Sequence, residues 1–389
     1  MSNPLPAPRV ALIGVSGYGR IHLQLIRECL ARAEITLVAV VVINPHEEAA
    51  AVAELKGRGC RIYNDYQQML AAEHGQIDLC MIPTGIHWHA EMSIAALKAG
   101  ANVLVEKPLA ASLADAAAIA QAEQASGRFV AVGFQDYYES ATQWLKSKVH
   151  GGAIGDLQEV RFLGIWPRPR SYYLRNDWAG RLNAGGKPVL DSPLNNAFAH
   201  FVMLALYFAG AARDAAGGPI AIEGAELRRA HDIESFDTAV VRARAGGVKL
   251  WFGVSHACRP QFEPEITLIG SHGRASWHYE REVRIGEGER RAMADITGAR
   301  REMMAAVLSR VHDTQVRVCS PRIAVRHTEL IIDLHARFPI VPFAAGEIDW
   351  TEAGASPAAI PIVRGLEPAL HRAYTESSSL AGVGCGQNV

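Results

Sequence analysis

Three stretches of the 389-residue sequence combine residue types that can do chemistry with spacings that put them to use. The first is "VALIGVSGYGRIH", in which Gly14, Ser16, Gly17, Tyr18 and Gly19 lie between a short apolar run and a helix-like one. The pattern is G-x-S-G-x-G, a variant of the G-x-G-x-x-G dinucleotide fingerprint. Glycines there permit a tight turn and a close approach of backbone to a pyrophosphate, and the helix that follows offers its free N–H groups and positive dipole end. The second is "NVLVEKPLA", an apolar run that ends in Glu106, Lys107 and Pro108. The third is "WPRPRSYYLRNDWAGRLNAGG", where Arg168, Arg170, Arg175 and Arg181 stand among tyrosines and tryptophans just ahead of Asp191. Aromatic faces stack on sugar rings and guanidinium forks clamp carboxylates. A polyhydroxylated, acidic substrate suits that composition, with Tyr173, Arg175 and Trp178 as its candidates. A structural loop pinned against the rest of the protein suits it equally.

Dinucleotide enzymes that use NAD usually carry an acid at the end of the second strand, hydrogen-bonded to the ribose. Here that strand ends "VVVINPH". Val42 holds the place and accepts no such bond, and Asn44 is the polar side chain offered instead. No arginine follows at once to meet a 2′-phosphate, so the residues leave NAD and NADP both open.

These stretches need elements to position them. "VALI", "TLVAVVVI", "RIY", "IDLCMIP", "NVLVEKP" and "RFVAVGF" read as strands, the longer ones apolar almost throughout, as in a parallel sheet covered on both faces. Between them, "RIHLQLIRECLARA" places apolar residues at 21, 25, 26 and 30, which is helical spacing. "EEAAAVAEL", "AEMSIAALKAG" and "SLADAAAIAQAEQASG" read as further helices. Strand–helix alternation predicts a doubly wound parallel sheet over residues 1–135. After about residue 150 hairpin-linked strands take over ("LQEVRFLGIW", "DTAVVRARAGGVKLWFGVSH", "GRASWHYEREVRIG"), with one apolar helix near 195–209. They predict an α+β domain over 136–345 with a large, mostly antiparallel sheet. The remainder, 346–389, reads as a tail that packs back on the core, with a helix near "LEPALHRAY".

Composition narrows the function classes. Lys plus Arg number 39 against 40 Asp plus Glu, so the chain lacks the basic footprint of a nucleic-acid binder. At 49% hydrophobic residues it is too apolar for disorder. "AFAHFVMLALYFAG" is interrupted by His200 and falls short of the ~20 residues of a membrane span. The six cysteines at 29, 60, 80, 258, 319 and 385 form no C-x-x-C pair, so neither a disulfide framework nor a metal site is expected. With no apolar signal core in "MSNPLPAPR", a cytoplasmic location is the expectation.

Taken in order, "GVSGYGRIH", "IPTGIHWHAEMSIAALKAGANVLVEKPLA", "AVGFQDYYESATQWLKSKVHGGAIGDLQEVRF" and "GGKPVLDSPLNNAFAH" resemble the glucose–fructose oxidoreductase/inositol dehydrogenase (Gfo/Idh/MocA) family. The resemblance covers residues 8 to 210 well and the remainder only in its strand pattern. It implies an N-terminal Rossmann domain, a bound NAD or NADP, and a lysine beside nicotinamide and substrate that moves the proton of the reacting hydroxyl. Lys107 matches that lysine, with Glu106 orienting it and the bond before Pro108 often cis. Such an ammonium, partly desolvated, can have its pKa lowered toward the working range. His89 matches a histidine near the cofactor, and Thr84 of the same loop falls with it. His87 and Trp88 either line the cleft or belong to a surface loop. His22 matches the family and packs or caps.

The family's second motif is G-G-G-x-x-x-D-x-G-x-H. Asp191 matches its aspartate, but Pro193 replaces the glycine and Asn195 the histidine. An amide hydrogen-bonds a hydroxyl but is no base. On a continuous helix His200 would be turned ~140° from Asn195, sharing a stripe with Asn196 and Met203. It is either a catalytic substitute or a helix-side hydrogen-bonding group. Lys107 is then the remaining proton carrier, with Asp191 as polar partner, Asn195 in the catalytic slot, and Asn196 and His200 toward the substrate. His256 either reaches the cleft or is a buried or surface histidine. The implied activity is NAD(P)-dependent hydride transfer at a hydroxyl-bearing carbon of a sugar, inositol or related polyol. Alternatives are a redox-neutral, NAD-using glycosidase or lyase, and a non-enzymatic dinucleotide sensor. The resemblance further implies a homodimer or homotetramer through the C-terminal sheet, with neither nucleic acid nor membrane as partner.

Overall fold

The computed structural model describes residues 6–352 and 356–380. The chain forms two units: one takes everything up to Tyr138 together with Thr297–Val325, the other Glu139–Ile296 and the chain from Arg326 onward.

In the first unit β1 (Arg9–Ile13), β2 (Thr36–Val41), β3 (Arg61–Tyr63), β4 (Leu79–Ile82), β5 (Asn102–Val105) and β6 (Val130–Val132) form a parallel sheet in the order β3-β2-β1-β4-β5-β6. Helices α1 (Gly19–Ala31), α2 (Ala49–Gly57), α3 (Tyr66–Ala72), α4 (His89–Lys98) and α5 (Leu113–Ser126) connect the strands. All four residues of β4 and of β5 are buried, which is why these runs carry no alternation. Strand order reverses between β1 and β4, and the crevice beyond their carboxyl ends is where such sheets bind ligands.

The expected boundaries at 135 and 345 are corrected by a return of the chain. Helix Ile296–His312 buries Ala299, Met303, Met304, Val307 and Leu308, and Arg301 forks onto Glu28 of α1 at 2.7 and 3.1 Å. Farther on, the Val132 N–H donates to the Cys319 carbonyl at the edge of the parallel sheet. An apolar stripe states that a helix needs a partner face, not which part of the chain supplies it.

The second unit is built on a nine-stranded sheet. Its order is Glu289–Ala292, Glu282–Ile285, Arg274–His278, Phe262–Gly270, Leu157–Ile165, Val248–Ser255, Thr238–Ala245, Ile220–Arg229, Ile340–Pro342. Leu157–Ile165 pairs parallel with Val248–Ser255, as does Ile220–Arg229 with Ile340–Pro342; the other pairs are antiparallel. On one face Phe162 meets Phe201 of helix Ala199–Phe208, all of whose residues are buried. On the other, Leu163, Ile165 and Trp251 join Leu366 and Leu370 of helix Leu366–Glu376 in one apolar cluster. A homo-oligomer made through this sheet would therefore have to use surface that this helix leaves uncovered.

The helix expected over 195–209 begins only at Ala199. Ser192 to Phe198 is a run of turns, with the Phe198 N–H reaching back to the Pro193 carbonyl. Pro193 donates no backbone bond, and the asparagine side chains are used on the loop itself, so a regular helix does not form there. The helical rotation used to set His200 against Asn195 accordingly does not apply. Cys29, Cys60, Cys80, Cys258 and Cys319 are free and buried, and Cys385 lies outside the described residues.

Helix Ala199–Phe208 ends on a buried amine. Lys146 Nζ donates to the carbonyls of Tyr207, Phe208 and Gly210 at 2.8, 3.2 and 2.5 Å, capping orphan acceptors at the helix end. Burial pushes its pKa from 10.5 down to about 7. The unfolded chain keeps this proton to its ordinary value, so between the two values the unfolded state binds more protons and stability rises with pH. The rise should be as steep as about 1.4 kcal/mol per pH unit. Urea titrations from pH 7 to 10 should show it in the wild type and not in Lys146→Met; equal pH slopes would refute it.

Candidate functional site

The glycine turn joins β1 to α1. Gly14 and Gly17 have φ of 97° and 55°, which a side chain would strain. A Cβ on Gly19 would stand 2.5 Å from the Gly14 carbonyl oxygen, so only glycine lets the turn close this tightly. No side chain caps α1 and no acid occupies its first turn, which leaves the positive end of its dipole for a diphosphate. Glycines, an acid-free first turn and tight closure together fit a dinucleotide. Pro83 and Thr84, beyond β4, border the same turn.

The tip of β5 is held from behind. Glu106 is 6% exposed, and its Oε1 lies 2.8 Å from Nε2 of His22, itself buried on α1. Its Oε2 accepts from the Lys107 backbone N–H at 3.1 Å. A Cβ on Gly133 would come within 2.7 Å of Glu106 Oε1, so the chain after β6 must be glycine for the carboxylate to fit. The Lys107–Pro108 bond is cis, as the resemblance implied. His89 is buried between two loops, with Nδ1 at 2.8 Å from the Pro108 carbonyl and Nε2 at 3.0 Å from the Thr84 carbonyl. Burial outweighs these carbonyls and holds its pKa below the ordinary value, and a neutral ring donates to one of them at a time. His22 and His89 are thus positioning residues: the first anchors Glu106, the second ties the β4 loop to the β5 loop. His87 and Trp88 form part of a single-turn helix, Ile86–Trp88, with Trp88 on the surface.

At the far end of the turn, Val42 is buried and its N–H extends the pairing of β2 with the Tyr63 carbonyl. Asn44 Oδ1 stands 3.4 Å from Ser16 Oγ of the glycine turn.

In the second unit Asp191 is buried and oriented through both oxygens: Oδ2 accepts from Gly180 N–H at 2.7 Å and Oδ1 from Asn196 Nδ2 at 2.9 Å. Asn195 spends its amide on the carbonyls of Val189 and Leu190, at 3.1 and 3.2 Å. His200 is buried in the first turn of helix Ala199–Phe208. Tyr173 turns inward, with its hydroxyl 2.7 Å from Nδ1 of the buried His256. Burial raises the phenol well above its ordinary value and lowers the imidazole well below its own, so the tyrosine donates to a neutral ring. Arg175 lies over Tyr172 at 3.9 Å and Trp178 at 5.2 Å, and Arg168 over Tyr172 at 5.0 Å. The expected trio thus divides: Arg175 and Trp178 belong to a cation–aromatic ladder, while Tyr173 braces His256. Beside it opens a cavity of 720 Å³, lined by Arg170, Asn176, Gly180, Arg181, Arg229 and His231 among others.

Residues 8–134 match a family model described as "Oxidoreductase family, NAD-binding Rossmann fold", GFO_IDH_MocA. This stretch is a Gfo/Idh/MocA oxidoreductase domain. The chain is similar to a dTDP-3,4-didehydro-2,6-dideoxy-alpha-D-glucose 3-reductase of Streptomyces violaceoruber, 29% identical over 68% of this chain and 72% of the relative. It is also similar to an inositol 2-dehydrogenase of Azotobacter vinelandii, 35% identical over 37% of this chain and 42% of that enzyme's length. In fold it is like the WlbA dehydrogenase of Bordetella pertussis, solved with NADH and UDP-GlcNAcA, at a TM-score of 0.67 and 21% identity, with 85% of this chain and 95% of that one covered. Residues 8–134 thus carry the NAD-binding Rossmann fold of an oxidoreductase family. No helix among the described residues is long and apolar enough to cross a membrane.

Sequence reasoning missed Arg300. Helix Ile296–His312 carries its guanidinium to 5.5 Å from the Tyr18 ring, beside the glycine turn. Nothing local to "GAR" signals this, because the partner lies some 280 positions earlier. Replacing Gly19 with alanine should open the turn and weaken NADH binding more than tenfold, read by quenching of protein fluorescence. An unchanged dissociation constant would show that the turn does not carry the diphosphate.

Proposed function

We propose that the protein transfers hydride between NAD(P) and a hydroxyl-bearing carbon of a sugar, inositol or related polyol, with Lys107 as the proton carrier. The observation that carries this reading is the placement of Lys107: at the carboxyl end of β5, directly after a carboxylate fixed by His22, in a domain of an NAD-binding oxidoreductase family. The nicotinamide ring, when bound, supplies or accepts the hydride. Lys107 Nζ takes the hydroxyl proton when the alcohol is oxidised and returns it when the ketone is reduced. Glu106 holds the Lys107 backbone in place. Asp191, its carboxylate oriented by Gly180 and Asn196, accepts a hydrogen bond from a substrate hydroxyl. Asn195 is no proton carrier in this scheme, because its amide is committed to two backbone carbonyls. The ladder of Arg168, Tyr172, Arg175 and Trp178 suits a substrate that pairs a sugar ring with an anionic group.

The relatives named above are a reductase and a dehydrogenase, which favours net redox chemistry over a redox-neutral lyase or a sensor. General acid–base catalysis typically contributes about 10²–10⁴-fold. Lys107→Met should therefore lower kcat by roughly that factor while NADH binding stays within about threefold. Near-normal turnover in this variant would remove Lys107 from the role. In the wild type NADH should accumulate in step with product on a panel of polyols and sugars. Product without NADH would point to the lyase route instead.

A further inference from the structure

The place of the usual ribose-binding acid has been given to packing, with Val42 1% exposed. Acids arrive instead from the turn beyond β2. Asn44 Nδ2 lies 2.5 Å from Glu47 Oε2, and its Oδ1 faces Ser16 Oγ of the glycine turn. Glu48 meets Arg20 of α1 at 2.9 Å. Its pKa is lowered, by the hydrogen bond to Arg20 first and to Ser16 next. Glu48 thus borders Ser16 directly and Glu47 is linked to it through Asn44. Beside them Ile43 is 81% exposed.

We infer that Asn44, Glu47 and Glu48 form the ribose edge of the cofactor site, and that this edge selects NAD(H) against NADP(H). Ribose hydroxyls are donors, and the edge presents carboxylate acceptors. A 2′-phosphate would bring about −1.5 to −2 charges against two carboxylates. Arg20, the guanidinium bonded to this edge, is already engaged by Glu48. Ile43 offers adenine an apolar face. The inference rests on the dinucleotide domain alone, and neither the substrate nor Lys107 enters it.

The test is binding, without turnover. NADH and NADPH are titrated separately into the full chain by calorimetry at pH 8. The wild type should bind NADH at least about tenfold more tightly, the equivalent of 1.4 kcal/mol. In the double variant Glu47→Gln, Glu48→Gln the NADPH dissociation constant should fall and the ratio should move toward one. NADH binding by the same variant shows that it is folded. Equal affinities in the wild type would overturn the inference, as would a preference that the double variant leaves intact. Loss of turnover in Lys107→Met with this preference unchanged separates the two proposals.

Discussion

A carboxylate sealed beneath the parallel sheet's carboxyl edge, and the imidazole that meets it, set the geometry of the first unit's chemistry. An unpartnered buried charge costs several kcal/mol even after relaxation. Glu106 is offset by His22 Nε2 on one oxygen and by the Lys107 N–H on the other. His22 stands three residues after Gly19, in the first turn of α1. The glycine turn and the Lys107 backbone are therefore joined by one strut of two side chains. Displacing α1 moves both, and displacements near 1 Å at a reacting centre are enough to cost about 10²-fold in rate. His89 adds a second tie, from the β4 loop to the Pro108 carbonyl. Precision at the tip of β5 thus comes from packed elements and not from the loop that carries Lys107.

The second unit solves a different problem, because its acid sits on irregular chain. Leu190 adopts a left-handed φ of 47°, a conformation that costs a non-glycine residue about 1–3 kcal/mol. Asn195 braces the strained turn by donating to the carbonyls of Val189 and Leu190 at once. An amide nitrogen carries two hydrogens, whereas a neutral imidazole has a single N–H. Asparagine at the motif's histidine position can therefore make a two-pronged brace that histidine could not. The exchange gives up a base and gains a fixed turn immediately ahead of Asp191.

Much of this was legible in the sequence. Apolar runs without alternation gave the parallel strands, and the glycine spacing between "VALI" and "RIH" located the tight turn from β1 to α1. "EKP" marked the end of β5, where Glu106 is buried and the Lys107–Pro108 bond is cis. Other features were not legible because they depend on long-range closure. The pairing of His22 with Glu106 joins positions 84 apart, and the return of helix Ile296–His312 brings Arg300 to Tyr18 from the far side of the second unit's sheet in sequence. Tyr173 looked like a sugar-stacking aromatic by composition, and only the fold shows its hydroxyl committed to His256. The late start of helix Ala199–Phe208 had a local signal in Pro193 and the paired asparagines, which the apolar run behind them masked.

Along the first unit's site the charges are graded. The glycine turn offers the positive end of α1, with the Arg300 guanidinium beside Tyr18 adding to it, and the adenosine end offers Glu47 and Glu48. Two carboxylates so close together would ordinarily repel. Here Glu48 is tied to Arg20 in the first turn of α1, within reach of the dipole's favourable end, and Glu47 is tied to Asn44. The acids are thus stabilised by the element that binds the diphosphate. Because the dipole is felt only within about the first turn of a helix, a carboxylate at Val42 and one at Glu48 are not equivalent. The first would answer to the sheet, and the second answers to α1. Moving the acid from strand end to turn therefore couples recognition of the ribose to the same helix whose His22 positions Glu106, so one rigid element governs both ends of the dinucleotide.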